Sequence, residues 1–241
     1  MNKESLRIQG IPAIIWGETS PKVYLYIHGQ GGCKEEAEDF SHIAERHGWQ
    51  VLSIDLPEHG DRAGERDGFY PWAVVPELRA IMEYTRNRWE DVALFANSIG
   101  AWFSMLSFGN ETLQNCLFVS PVLDMEKLIQ AMMKWAGVSQ ERLRQEQTIP
   151  TDFGQTLSWR YWEYVRENRI TRWSAPTKIL YAGKDHFTDR ATAEGFAKAF
   201  HCDITIWEDG EHWFHTPPQL KVLYRWIEDT IDRQGSDLVI Q

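Results

Sequence analysis

The reading of this chain turns on five residues, Ala96-Asn97-Ser98-Ile99-Gly100. They sit between a short apolar run, Val92-Ala93-Leu94-Phe95-Ala96, and a helix-like stretch over 98–108. A serine at such a strand-to-helix junction lies on a tight turn, which requires small residues two positions to either side. Ala96 and Gly100 meet that requirement. By themselves the five residues leave two uses open: a nucleophile held on a strained turn, or a serine capping a helix N-terminus.

Outward from this junction the elements alternate. Strands are expected at 23–27, 51–54, 92–96, 117–119, 178–181 and 203–207, and helices at 35–47, 71–89, 98–108, 189–200 and 218–231. The strands are continuous apolar runs, as required when both faces of a parallel sheet are covered by helices. Two further strands at 6–9 and 13–16 flank Gly10-Ile11-Pro12, break the alternation and predict an antiparallel edge. The expected fold is therefore α/β, a mostly parallel, doubly wound sheet of about eight strands. Residues 124–172 read as helical segments only, too long for a simple crossover. They are expected to form a small helical cap insert within a single domain spanning 1–241. Ligands in open α/β sheets bind beyond the carboxyl ends of the strands, where this insert would lie.

Composition narrows the function classes. The 241 residues carry 25 Lys and Arg against 35 Asp and Glu, a formal charge of −10, with 43% hydrophobic residues. This is globular composition, and the charge argues against binding a phosphate backbone or an anionic membrane. It also weighs against a highly anionic substrate such as an acyl-CoA. Three cysteines, none in C-x-x-C, point to a reducing compartment. No apolar leader or run of membrane-spanning length is present, so the expected location is the cytoplasm. The expected partners include neither nucleic acid nor a membrane.

Three other stretches carry chemistry. His28-Gly29-Gln30-Gly31-Gly32 follows a strand, and its glycines free backbone N–H groups to face a ligand. Such fixed donors form an oxyanion hole, for which the Gln30 and Ile99 amides are the candidates. A phosphate loop is the rival, but neither G-x-x-x-x-G-K-[ST] nor G-x-G-x-x-G is present. Asp185, in Gly183-Lys184-Asp185, follows a late strand and could orient an imidazole. Asp124 is an alternative acid, while Asp189 reads as a helix-start residue. His212, in Gly210-Glu211-His212, lies in the loop after the last strand and is the candidate base, with His215 nearby. The chain order Ser98, Asp185, His212 is that of the nucleophile-elbow arrangement.

Taken together these stretches, with Asp55-Leu56-Pro57-Glu58-His59-Gly60-Asp61-Arg62, resemble the α/β-hydrolase family over nearly the whole chain. The resemblance implies Ser98 as nucleophile, His212 as base, Asp185 as acid, and Gln30 and Ile99 as oxyanion donors. It implies that the Asp55 stretch shapes the site without doing chemistry. The chain departs from the family pattern at Ala96, where Gly is usual, and at Glu58, where many members have Gly.

The expected activity is that of a carboxylesterase-like serine hydrolase acting on a small or medium acyl ester through an acyl-enzyme. The alternatives are a peptidase-like or thioester hydrolase, or a binding protein of the same fold with little turnover. No cofactor is expected. His212-x-x-His215 and Asp185-His186 are poor metal signals, and H-E-x-x-H is absent. His28, Trp159 and Trp162 are candidates for touching substrate; for the two tryptophans, and for Met132 and Met133, core packing is the competing use. Cys33 reads either as a neighbour of the oxyanion loop or as a small residue at a helix start.

Overall fold

The computed structural model describes residues 1–236, with side chains through residue 231. The chain opens on an antiparallel hairpin, β1 (Lys3–Ile8) and β2 (Ile11–Trp16). Gln9 and Gly10 both take positive φ, 51° and 89°, the handedness that a two-residue turn between twisted strands demands. There follow β3 (Lys22–Ile27), α1 (Ala37–Arg46), β4 (Gln50–Ile54), α2 (Pro71–Arg86), β5 (Asp91–Asn97), α3 (Ile99–Phe108) and β6 (Cys116–Val119). The next segment carries α4 (Met125–Trp135), α5 (Gln140–Glu146), β7 (Thr148–Pro150), β8 (Thr156–Ser158) and α6 (Trp159–Glu167). The chain then completes the sheet with β9 (Thr177–Ala182), α7 (Arg190–Phe200), β10 (Asp203–Trp207) and α8 (Pro217–Ser236).

The main sheet has eight strands in the order β1-β2-β4-β3-β5-β6-β9-β10, parallel from β4 to β10 and antiparallel at the β1-β2 edge. This is the expected α/β architecture. Strand alternation sorts the core into two layers. Val23, Leu25 and Ile27 of β3, with Val92, Leu94 and Ala96 of β5, face the layer of α2 and α3. Tyr24, Tyr26, Ala93 and Phe95 face the layer of α1 and α8, against Phe40, Ile43 and Ile227.

The segment between β6 and β9 differs from the helices-only expectation for 124–172. β7 and β8 pair antiparallel across a turn at Gly154, whose φ is +82°. The strands are only three residues each, too short for a period-two pattern to stand out from the helices beside them. Among the described residues no helix is long and apolar enough to cross a membrane.

Candidate active site

Ser98 sits between the end of β5 and the first residue of α3, with φ 49° and ψ −123°. A non-glycine residue in this region is strained, and the strain is held by neighbours on both sides. Ser98 N–H donates to Val119 O (3.1 Å), and Ser98 O accepts from Val122 N–H (3.0 Å). Gly100 cannot carry a side chain: a Cβ there would lie 2.4 Å from His28 O and 2.8 Å from Ile27 O. Ala96 is buried in the α2-α3 core layer, so the usual glycine is replaced here by a residue whose methyl has room. Ser98 makes no side-chain capping bond to α3, so the helix-cap use of this serine is not the one adopted.

The Ser98 hydroxyl is instead hydrogen-bonded to His212 Nε2 at 2.8 Å. His212 lies in the loop between β10 and α8, and its Nδ1 is 2.8 Å from Asp185 Oδ2. Asp185 follows β9, its carboxylate is fully buried, and its other oxygen accepts from Phe187 N–H (2.8 Å) and Thr188 N–H (3.3 Å). These bonds orient Asp185, and Asp185 in turn fixes which His212 nitrogen carries the proton. With Nδ1 donating to the carboxylate, Nε2 is left with its lone pair toward Ser98. Asp124 takes no part: it caps α4, accepting from Lys127 N–H at 3.0 Å. Asp189 caps α7 through Thr192 N–H, as its helix-start reading expects. His215 is exposed and turns back to Trp213 O.

The His28–Gly32 loop packs directly against the serine. A Cβ on Gly29 would stand 3.1 Å from Ser98 Cβ, and Gly31 has φ +80°. Gln30, Gly31 and Ile99 line the same cleft as Ser98. His28 itself does not, contrary to its expected contact with substrate. Its ring is fully buried: Nδ1–H donates to Gly29 O (2.7 Å) and Nε2 accepts from Leu56 N–H (3.0 Å). Both nitrogens are thereby used with the ring neutral, and burial pushes its pKa down to about 4. The unusual Glu58 is also accounted for. It takes φ 65°, and its carboxylate accepts from Gly68 N–H (2.8 Å) and Phe69 N–H (3.1 Å), bonds a glycine could not make.

The cleft has a volume of about 720 Å³. One wall is a single stripe of α4: Met125, Leu128, Ile129 and Met132, spaced as neighbours on a helix face. Leu157, Ser158 and Tyr161, from the hairpin and the start of α6, also line it. Trp135, Phe153 and Trp213 stand at the mouth, 49%, 42% and 65% exposed. Among the described residues no Asp, Glu, Lys or Arg lines it. Trp159 and Trp162 do not line it either. On α6, Trp162 and Val165 share the face buried in the core, and Trp159 packs on that core, while Ser158 and Tyr161 share the face toward the cleft. Met132 and Met133 divide in the same way, the first into the cleft and the second into the core. Cys33 stands at the start of a short 3-10 turn, its thiol pushed up by partial burial. Phe187, Phe153, His186 and Trp213 are cleft residues that sequence reasoning missed; all lie in loops, where no periodicity marks a face.

A model of the alpha/beta hydrolase family matches residues 24–233. Comparison with curated protein sequences gives no match. Among solved structures the chain is similar to Est1E from Butyrivibrio proteoclasticus with ferulic acid bound, at 14% identity and a TM-score of 0.76, over 97% of this chain and 99% of that one. It is similar to alpha/beta hydrolase domain-containing protein 10 from mouse, at 13% identity and 0.75, over 97% and 99%. It is also similar to a monoacylglycerol lipase from Paleococcus ferrophilus, at 16% identity and 0.69, over 93% and 99%. At these identities the likeness is one of fold.

Proposed function

The chain belongs to the alpha/beta hydrolase family, and from that premise we propose that it is a serine hydrolase that cleaves a small or medium uncharged acyl ester. The observation that carries this reading is the continuous hydrogen-bonded line from Ser98 through His212 to Asp185, opening onto a cleft without charged side chains.

In this reading His212 Nε2 takes the Ser98 proton as Oγ attacks the ester carbonyl carbon. The carbonyl electrons move to oxygen, and the Gln30 and Ile99 amides stabilise that oxyanion. The second donor opens α3, so the helix dipole adds to it. His212, now cationic beside Asp185, gives its proton to the leaving alkoxide, and an acyl-Ser98 ester remains. Water then attacks with His212 again as base, and collapse releases the carboxylic acid and the free serine. The residues 124–172 act as the cap that sets specificity, because this segment supplies most of the apolar wall: five residues of α4, with Phe153, Leu157 and Tyr161.

The test is a fluorophosphonate probe, which phosphonylates an activated serine. Wild type is expected to be labelled and Ser98→Ala not. Absence of labelling in both, together with no turnover of p-nitrophenyl butyrate, would sink the proposal.

A further inference from the structure

The loop that carries Gln30 is anchored at both ends to one short turn. At its start, the buried His28 ring accepts from Leu56 N–H at 3.0 Å and donates to Gly29 O at 2.7 Å. At its end, Lys34 N–H donates to Asp55 Oδ1 and the Lys34 ammonium donates to Asp55 Oδ2, both at 2.8 Å. The two anchors land on adjacent residues, Asp55 and Leu56. Between them lie Gly29, Gln30, Gly31, Gly32 and Cys33, and three glycines in five residues leave this backbone wide conformational freedom.

Lys34 is an unusual anchor. It is 4% exposed, and Asp55 is 0% exposed. Burying an ammonium and a carboxylate costs desolvation, which is recovered only by close pairing and full hydrogen bonding. Here the pairing is close: the same ammonium also reaches Asp61 Oδ2 at 3.0 Å and Glu35 Oε1 at 2.9 Å. Asp55 Oδ2 additionally accepts from Asp61 N–H at 2.9 Å. Gly60 has to be glycine for this turn to close, since a Cβ there would fall 2.2 Å from Asp55 Oδ1. The turn is therefore a rigid base, and the glycine loop is fastened to it next to Ser98, whose Cβ is 3.1 Å from where a Gly29 Cβ would be.

We propose that Lys34 is a positioning residue: with His28 it pins the 29–32 loop to the Asp55-Leu56 turn and holds the Gln30 amide where oxyanion charge develops. The inference rests on the serine-hydrolase reading above for the role of the Gln30 amide. The clamp itself is a statement about the loop.

The experiment uses the full chain as wild type, Lys34→Met and His28→Asn, the last deleting the acceptor for Leu56 N–H. Three readouts are taken: kcat and KM on p-nitrophenyl butyrate, inhibition by an alkyl trifluoromethyl ketone, and amide hydrogen exchange of the peptide spanning 28–33. The ketone adds to the serine and places an oxyanion on the donors. Lys34→Met is expected to lower kcat about tenfold or more with KM within about threefold, since an oxyanion donor acts mainly in the transition state. The ketone should weaken in parallel, and exchange should quicken in 28–33 but not in peptides of α1 or α8. A merely structural lysine would lower the melting temperature and leave kcat per folded enzyme, ketone affinity and loop exchange as in wild type; that result overturns the proposal. Should Lys34→Met not fold, His28→Asn carries the same expectations and the same refutation. Should wild type neither label with fluorophosphonate nor turn over ester, the hydrolase reading falls. Exchange in 28–33 then decides the clamp alone: quickened supports it, unchanged overturns it.

Discussion

Replacing Gly100 by Ala adds one methyl group at the most crowded point of the site. Its nearest neighbours would be His28 O at 2.4 Å and Ile27 O at 2.8 Å, both backbone atoms that cannot rotate away. The first contact is roughly 0.6 Å short of the closest approach a real Cβ makes. The N-terminus of α3 must therefore back off from the end of β3, and Ser98, two residues earlier, moves with it relative to the Gln30 loop. A misplacement of about 1 Å costs about a hundredfold in rate, so a shift of about half that predicts a loss of about tenfold in kcat/KM. Stability should fall much less. Overpacking costs about 1–3 kcal/mol, and replacing a helical glycine by alanine returns about 1 kcal/mol. A net loss of about 0–2 kcal/mol lowers Tm by only a few degrees in a chain of this size, roughly 2–4 °C per kcal/mol. The assay is p-nitrophenyl butyrate hydrolysis beside a circular-dichroism melt. The matched control is Ala96→Gly, which should cost about 0.5–1 kcal/mol of stability and keep kcat/KM within about twofold. If Gly100→Ala keeps kcat/KM within twofold of wild type, the close approach of α3 to β3 does not position the serine and the reasoning fails.

Four further outcomes follow from the same geometry. Asp185→Asn should lower kcat by about 10⁴-fold, because an amide cannot hold His212 in the required tautomer; on the same ester, Asp124→Asn should stay within about threefold, and the reverse ranking would move the acid to Asp124. Asp124→Ala should instead cost about 1 kcal/mol in urea denaturation, the loss of the α4 cap bond to Lys127 N–H. His28 is held neutral with its pKa down to about 4 from an ordinary 6.5. The unfolded chain therefore binds that proton first, and the contribution of the neutral ring, complete above pH 6.5, drains away as pH falls toward 4. The total is about 3 kcal/mol, and urea midpoints for wild type and His28→Asn should converge in acid; parallel pH slopes would contradict it. Finally, Ile129→Trp puts a larger ring on the α4 wall of the cleft, so the preferred acyl chain in a p-nitrophenyl ester series should shorten; an unchanged optimum would place the acyl group elsewhere.

Much of the site was legible because its residues occupy ends of elements. Ser98, Asp185 and His212 each stand in a junction or loop after a strand, in an order that Asp124 would satisfy equally. The choice between the two acids came from the structure, where Asp185 meets His212 and Asp124 caps α4. The cleft was far less legible. Periodicity marks α4 as amphipathic, but a helix packed between a core and a cleft is apolar toward both. Met132 and Met133, one residue apart, cannot be told apart until the helix is placed. The same holds on α6, where Tyr161 lines the cleft and Trp162 is core. His28 was misread for a related reason: a histidine opening a glycine-rich loop resembles a ligand contact until both ring nitrogens are found bonded to backbone.

What the amino-acid order determines without help is local. It sets where strands stop, where glycine is unavoidable, and which polar residues stand at those stops, since backbone sterics and burial patterns act over a few residues. What only the tertiary structure decided is which of those residues meet. Residues 98, 185 and 212 converge because β5, β9 and β10 run parallel in one sheet and release their loops at the same end. Lys34 finds Asp55 because β3 and β4 are neighbours in that sheet. A pairing between residues so far apart in sequence is fixed by sheet order and register, and these are properties of the packed core as a whole.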